Sequence, residues 1–166
     1  FVEWGELDAL QAFDKLSHNV MRADLFKYVA LYNTGGFYMD LKAGFQPSQD
    51  VRCLERMAST SWFALNRSGK VTTWNMFAVR GSSLFAFVKS HIIADILRGR
   101  APRGQTSEQK VWDPTGPAAQ HRILEAYKKE HGTPNTHPSE AMCLVYDTRG
   151  SRASWFEPDS YLSLIH

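Results

Sequence analysis

The chain has 166 residues, of which 43% are hydrophobic and 13% aromatic, a composition typical of a folded globular protein. Its 19 basic and 17 acidic side chains give a formal charge of +2, far from the excess that would indicate nucleic-acid or anionic-membrane binding. No stretch approaches the roughly 20 apolar residues of a membrane-spanning helix. We therefore expect one domain over residues 1–166, no nucleic-acid partner and no transmembrane segment.

The first part of the chain carries two helical patterns. Apolar residues recur at helical spacing at Leu7, Leu10, Phe13 and Leu16. A second stripe, within residues 19–32, consists of Met21, Leu25, Tyr28, Val29 and Tyr32. Gly35 and Gly36 should end the second helix, because glycine reaches the left-handed conformation that a helix C-terminus often needs. Residues 37–39 then predict a short buried strand.

The remainder of the chain alternates between predicted strands and helices. Helices are expected at residues 51–58, 84–97 and from Thr115 or Gly116 to about His131, and strands at residues 61–65, 75–79 and 142–146. A polar turn is expected at residues 67–70 and a loop at residues 98–110. This alternation favours an α/β layered fold over a sandwich or a helical bundle.

Charged residues concentrate around the Gly-Gly turn. Asp24, Lys27 and Tyr28 share one helical face, and Asp40 follows the predicted strand. Ligands in open α/β sheets bind beyond the ends of strands, so two carboxylates and a cation converging there make a candidate site. On spacing alone, the alternative is equally open: Asp24 and Lys27 would form a surface pair and Asp40 would cap the next turn.

The order of these residues resembles the signature of DXD-motif glycosyltransferases, in particular glycosyltransferase family 32, which includes initiating α-1,6-mannosyltransferases. That signature places an Arg/Ser-Ala/Ser-Asp segment and a basic residue on a helix, then a Gly-Gly turn, an aromatic strand and Asp-x-Asp. The matching pieces here are Arg22-Ala23-Asp24, Lys27-Tyr28, Leu31-Tyr32, Gly35-Gly36, Tyr38 and Asp40. About 20 residues carry the resemblance, and their order is more specific than a lone DXD motif.

The resemblance implies a GT-A-like fold, related to the Rossmann fold, with a mixed sheet flanked by helices. It implies transfer of a sugar from a nucleotide-diphosphate sugar to a glycan, lipid or protein acceptor, with retention of the anomeric configuration. The implied catalytic residues are Asp24 and Asp40, and Asp40 would also be a ligand of a divalent cation, Mn²⁺, that neutralises the diphosphate. The implied donor-binding residues are Arg22, Lys27, Tyr38, Lys42, Thr115 and Gly116.

Two further parts of the resemblance, a helix start and a histidine, lie far from the motif. Asp113-Pro114-Thr115-Gly116-Pro117 is similar to the family's Thr-Gly-Pro helix start, where free N–H groups could face an anionic or hydroxyl-rich ligand. The simpler interpretation is that Thr115 only caps its helix. The closing His166 corresponds to a late histidine of the family and would be a second metal ligand.

Lys42 is the main departure from the family pattern, because it stands where the second aspartate of the motif is expected. In an extended segment Lys42 and Asp40 share a face, so the ammonium should weaken binding of a divalent cation. Three outcomes stay open: Lys42 contacts the diphosphate directly, the metal relies on other ligands, or activity is lost. The last would make the chain a carbohydrate- or protein-binding module on the same scaffold.

The start of the chain also bears on its organisation. The sequence begins at Phe1 without an initiator methionine, and we interpret it as a segment of a longer chain that lacks the family's N-terminal strand and nucleotide-binding loop. The compartment therefore stays open between the cytoplasm and the lumen of the Golgi or endoplasmic reticulum.

Overall fold

The computed structural model describes residues 1–40, 43–45, 60–65, 71–99, 114–134, 136–138 and 144–146. After a short 3-10 turn at Val2–Trp4, these residues form four α-helices: α1 (Leu7–Lys15), α2 (Asn19–Thr34), α3 (Ser83–Leu97) and α4 (Pro117–His131). The strands in the described ranges are β1 (Gly36–Met39), β2 (Ala43–Phe45), β3 (Trp62–Leu65), β4 (Val71–Ala78), β5 (Thr136–Pro138) and β6 (Leu144–Tyr146).

Four of the strands form one mixed sheet in the order β1-β4-β3-β5. The β1/β4 and β3/β4 pairs are antiparallel, whereas β3 and β5 run parallel. In the β1/β4 register, Gly36 lies opposite Ala78 and Met39 lies opposite Asn75. A separate antiparallel pair joins β2 to β6. The structure thus confirms the mixed α/β class.

The main core lies between the helices and one face of this sheet. It combines fully buried residues from α2, α3 and the two central strands, including Leu25, Tyr28, Phe63, Met76 and Phe85. The rings of Phe63 and Phe85 stack with their centres 5.0 Å apart, which ties β3 to α3. A smaller cluster contains Trp62 and Ala64. Alternate residues of β3 therefore enter different clusters, as expected of a strand with two apolar faces.

Helix α1 forms where the pattern predicts it, but its buried face differs from the prediction. Leu7 is 60% exposed, whereas Ala9 and Ala12 are fully buried. Small side chains let a helix approach its neighbours closely, and α1 packs on both α2 and α3. On α2 the predicted stripe is confirmed at Met21, Leu25, Tyr28 and Val29, which are all buried.

The turn between α2 and β1 depends on Gly35. Its φ is +70°, and a Cβ on this residue would lie 2.9 Å from the backbone nitrogen of Arg80. The Gly35 N–H caps α2 by donating to the Leu31 carbonyl at 2.9 Å. The Gly81 N–H bonds to Tyr32 at 2.8 Å, so the segment after β4 is fixed against the end of α2. The turn therefore sets the position of β1 relative to α2.

The other predicted elements agree with the structure to different degrees. Helices α3 and α4 and strand β3 lie within one or two residues of their predicted ranges, while β4 begins four residues earlier than expected. Strands β2 and β5 were not predicted. The helix expected at residues 51–58, the turn at 67–70 and nearly all of the loop at 98–110 lie outside the described residues. Within the described ranges, no helix is long and apolar enough to cross a membrane.

Candidate functional site

The candidate site is centred on an ion pair within α2. The Lys27 ammonium donates to Asp24 Oδ1 at 2.5 Å, as the spacing of three residues along the helix allows. Both residues are buried: Asp24 is 8% and Lys27 is 5% exposed. The interpretation of Asp24 and Lys27 as a surface pair is therefore wrong. An ion pair shielded from water is stronger electrostatically than an exposed one, but both charges must be desolvated.

Asp40 approaches this pair from the end of β1. Its backbone N–H donates to the Trp74 carbonyl at 2.8 Å, so the residue continues the ladder between β1 and β4. The Tyr38 hydroxyl donates to Asp40 Oδ1 at 2.6 Å, since residues two apart in an extended segment share a face. The Lys27 ammonium lies 5.1 Å from the centre of the Tyr38 ring, within cation–π range.

Asp24, Lys27, Tyr38 and Asp40 thus form one connected group, which we call the acidic cluster. Burial raises the pKa of Asp40; the charge of Lys27 and the hydrogen bond from Tyr38 lower it, and the charge of Asp24 raises it further. Burial outweighs the lysine, so Asp40 is a carboxylate held in an unfavourable environment. Such perturbed groups concentrate at functional sites, although structural networks also contain them.

Thr115 reaches the acidic cluster from the distant start of α4. It is fully buried, and its hydroxyl donates to Asp24 Oδ2 at 3.2 Å. The cap of α4 is Gly116, not Thr115, and Pro117 opens the helix. The interpretation of Thr115 as only a helix cap is therefore wrong. Its hydroxyl fixes the orientation of Asp24 across 91 residues of sequence.

Arg22 is not part of the acidic cluster. Its Nε donates to the Leu16 carbonyl at 3.0 Å, and its guanidinium lies 5.4 Å from the centre of the Phe13 ring. These contacts direct the side chain towards the end of α1. The side chain thus connects α1 to α2, because the start of α2 faces the end of α1, and the donor-binding role of Arg22 stays a prediction.

The remaining predicted site residues are Gly116, Lys42 and His166. Gly116 is buried beside Thr115 at the start of α4. Lys42 and His166 lie outside the described residues, so their assigned roles stay predictions. No local sequence pattern predicts the bond between Thr115 and Asp24, because this contact depends on how the start of α4 packs against α2.

A divalent cation has one clear candidate ligand among the described residues. Within those residues, no group of three or more His, Cys, Asp or Glu side chains could hold a metal ion. Cations that act on phosphates often take only one or two carboxylates and complete their shell with phosphate oxygens and water. Asp40 meets this minimum, because Tyr38 bonds to Oδ1 and leaves the second carboxylate oxygen uncontacted by that hydroxyl.

A cavity of about 280 Å³ lies at the other end of the sheet from Asp40. Its walls include Ser61 before β3, Val79 after β4, Ser82, and Tyr127 and His131 on α4. The sequence predicts that two carboxylates and a cation, Asp24, Asp40 and Lys27, converge at one site. They do come together, but none of them lines this cavity.

Comparison with known proteins gives one match. The sequence model of the family described as "Glycosyltransferase sugar-binding region containing DXD motif" matches residues 5–62. This range contains α1, α2, β1 and all four residues of the acidic cluster, and it ends at the start of β3. Over these residues the chain is similar to a sugar-binding region of glycosyltransferases. No curated protein and no solved structure matches the chain.

Proposed function

We propose that the chain is a glycosyltransferase that moves a sugar from a nucleoside-diphosphate donor to the hydroxyl of a glycan, lipid or protein acceptor, with retention of configuration. A GT-A-like fold of the family 32 type is part of this proposal. One observation carries it: two carboxylates and an ammonium, all buried or partly buried, meet in the segment that is similar to a glycosyltransferase sugar-binding region.

Each described residue of the acidic cluster has a role that suits this reaction. Asp24, held by Lys27 and Thr115, would accept hydrogen bonds from hydroxyls of the donor sugar. The positive charge of the Lys27 ammonium would stabilise the negative charge that develops on the diphosphate as its bond to the sugar breaks. Tyr38 holds Asp40 in place, so that this carboxylate is oriented before the donor binds.

The charge of the acidic cluster supports the involvement of a further cation. One ammonium faces two carboxylates, and a bound diphosphate would add more negative charge. A divalent cation, Mn²⁺ in this proposal, would supply electrostatic stabilisation of the leaving diphosphate, with Asp40 as its described protein ligand. Lys42 would be the alternative source of positive charge, since a lysine can contact phosphate as a point charge.

Lys42 is also the observation that favours a second function. A lysine at the second position of the motif is consistent with a relative that binds a carbohydrate or a protein without catalysing transfer. The two functions differ in turnover. A binding module would hold a sugar or a nucleotide sugar and leave it intact.

The test is an assay of donor hydrolysis and transfer on the 166-residue chain, with UDP-glucose and GDP-mannose, in Mn²⁺ and in chelator. The expected result is turnover that Asp24→Asn abolishes, because this change removes the negative charge and replaces one of the two acceptor oxygens with an NH₂ donor. A solvent-exposed matched control is Asp14→Asn on α1. Binding without turnover would establish the second function, and the absence of both binding and turnover would overturn the proposal.

The Lys42→Asp variant tests whether Lys42 or a divalent cation supplies the positive charge at the diphosphate. If Lys42 replaces part of the role of the metal, the unchanged chain should be active in chelator and Lys42→Asp should lower that activity and introduce dependence on Mn²⁺. Calorimetric titration of Mn²⁺ into both forms measures this directly. Strong Mn²⁺ binding by the unchanged chain would contradict a replacement by lysine and would indicate further metal ligands.

A further inference from the structure

Tyr28 presents a buried hydroxyl that bonds to none of the described residues. The residue lies on α2 one turn after Asp24 and is fully buried, yet its hydroxyl has no hydrogen-bond partner among the described residues. A buried polar group without a partner destabilises the folded state. A phenylalanine would fill the same core position without this cost. The hydroxyl therefore requires an explanation beyond packing.

Tyr28 lies beside the acidic cluster. The Lys27 ammonium lies 5.9 Å from the centre of the Tyr28 ring and 5.1 Å from that of Tyr38. Burial raises the pKa of Tyr28 well above its ordinary value, and the charges of Asp24, Tyr38 and Asp40 raise it further. Tyr28 thus borders the cluster and stays protonated, so its hydroxyl is available as a hydrogen-bond donor.

The other described hydroxyl donors at the acidic cluster already have acceptors within the protein, and the proposed function directs the remaining N–H groups of Lys27 towards the donor phosphate. Lys27 and Thr115 both donate to Asp24, and Tyr38 donates to Asp40. A sugar hydroxyl that donates to one of these carboxylates still has lone pairs that need a donor. The Tyr28 hydroxyl can supply that donor without giving up a bond to any of the described residues.

We propose that the Tyr28 hydroxyl donates a hydrogen bond to one hydroxyl of the sugar held at Asp24 and Asp40, and so selects sugars that carry this hydroxyl. The inference rests on the proposed function and adds a specificity-determining residue to it. A site that pairs a buried group with a substrate hydroxyl discriminates strongly against an analogue that lacks this hydroxyl, because the protein group is then left unpaired.

The experiment compares Tyr28→Phe with the unchanged chain in thermal unfolding and in calorimetric binding of UDP-glucose, GDP-mannose and their monodeoxy analogues. Without ligand, Tyr28→Phe should unfold at the same temperature or higher, because an unsatisfied hydroxyl is removed. Its affinity for the preferred donor should fall by about tenfold or more. One deoxy analogue should bind poorly to the unchanged chain and as well as the parent donor to Tyr28→Phe.

Tyr32→Phe is the matched control. Tyr32 lies one turn further along α2, and its ring contacts Lys89 outside the acidic cluster, so this variant should keep both donor affinity and discrimination. Equal donor binding by Tyr28→Phe and the unchanged chain would overturn the role of Tyr28 alone. A clear loss of stability in ligand-free Tyr28→Phe would overturn it too, because the hydroxyl would then have an internal partner. If the unchanged chain bound no donor, the proposed function itself would fail.

Discussion

Helix α2 takes part in two lysine–carboxylate networks that differ in their balance of charge. In the acidic cluster, Lys27 faces Asp24 and Asp40. At the other end of α2, Lys89 of α3 pairs with Glu6, which also accepts a hydrogen bond from Asn33 at 3.1 Å. We call this second network the helix junction. Each lysine also lies over a tyrosine ring, at 5.1 Å for Lys27 on Tyr38 and 4.0 Å for Lys89 on Tyr32.

The difference between these networks agrees with a structural role for the helix junction and with the binding role proposed for the acidic cluster. At the helix junction one acid meets one ammonium and one amide, so its described charges are balanced, and the contacts join the start of α1 to α2 and α3. The acidic cluster holds a second carboxylate whose pKa is raised by burial, and it borders the Tyr28 hydroxyl, which has no partner among the described residues. Incomplete pairing costs stability, and it leaves groups free to pair with a ligand.

The largest expected effect is on catalytic activity, which should depend on the acidic cluster and not on the helix junction. Asp40→Asn should lower donor hydrolysis or transfer by about 100-fold or more, because it removes a charge that acts on the reacting donor. Glu6→Gln, the equivalent neutralisation at the helix junction, should leave turnover close to that of the unchanged chain. Measured kcat/KM for both variants checks this contrast. Equal losses in the two variants would show that the networks do not divide structure from function.

A smaller effect is expected in stability at the helix junction. Lys89→Met should lower the free energy of unfolding by about 2 kcal/mol, because Glu6 keeps its charge but loses its ionic partner in a mostly buried position. Urea unfolding measures the change. Lys129→Met, at an exposed position on α4, should change stability by less than about 0.5 kcal/mol. A Lys89→Met chain as stable as this control would remove the structural role of the junction.

The smallest effect concerns the pH dependence of stability. Because burial raises the pKa of Asp40, the folded chain binds this proton more tightly than the unfolded chain. Its contribution to stability is complete below the unfolded pKa and is lost as the pH rises through the folded pKa. Asp40→Asn removes this loss, so the variant should gain stability relative to the unchanged chain between acid and neutral pH. Urea unfolding across that range tests the sign, and a relative loss would contradict it.

Much of the local structure follows from sequence because the signals are themselves local. The stripe on α2, the Gly-Gly turn and the aromatic strand depend on neighbouring residues, so their order could be predicted. The three-residue strands β2 and β5 are too short to carry a period. The buried face of α1 was predicted only in part. The apolar pattern predicted that Leu7 is buried, whereas Ala9 and Ala12 are the residues that close helix packing buries.

The candidate site follows from sequence to a smaller degree. Spacing placed Asp24, Lys27 and Tyr28 on one face, and the strand placed Tyr38 beside Asp40, but spacing could not show that the pair is buried. The bond from Thr115 and the turn of Arg22 towards α1 depend on tertiary packing. That the Tyr28 hydroxyl lacks a partner among the described residues is also a property of the packed core, because the sequence of an apolar stripe does not show the hydrogen bonds of its aromatic residues.

The bond between Thr115 and Asp24 sets an order of events during synthesis. Chains emerge from the ribosome with the N-terminal residues first, and the segment similar to a sugar-binding region is complete at residue 62. At that point β4, the described neighbour of β1, has not been made, and neither has Thr115. Asp24 and Asp40 are therefore translated before Thr115 and Trp74, the residues with which they bond in the folded chain. Until both partners are made, the nascent chain contains the residues of the acidic cluster without these bonds.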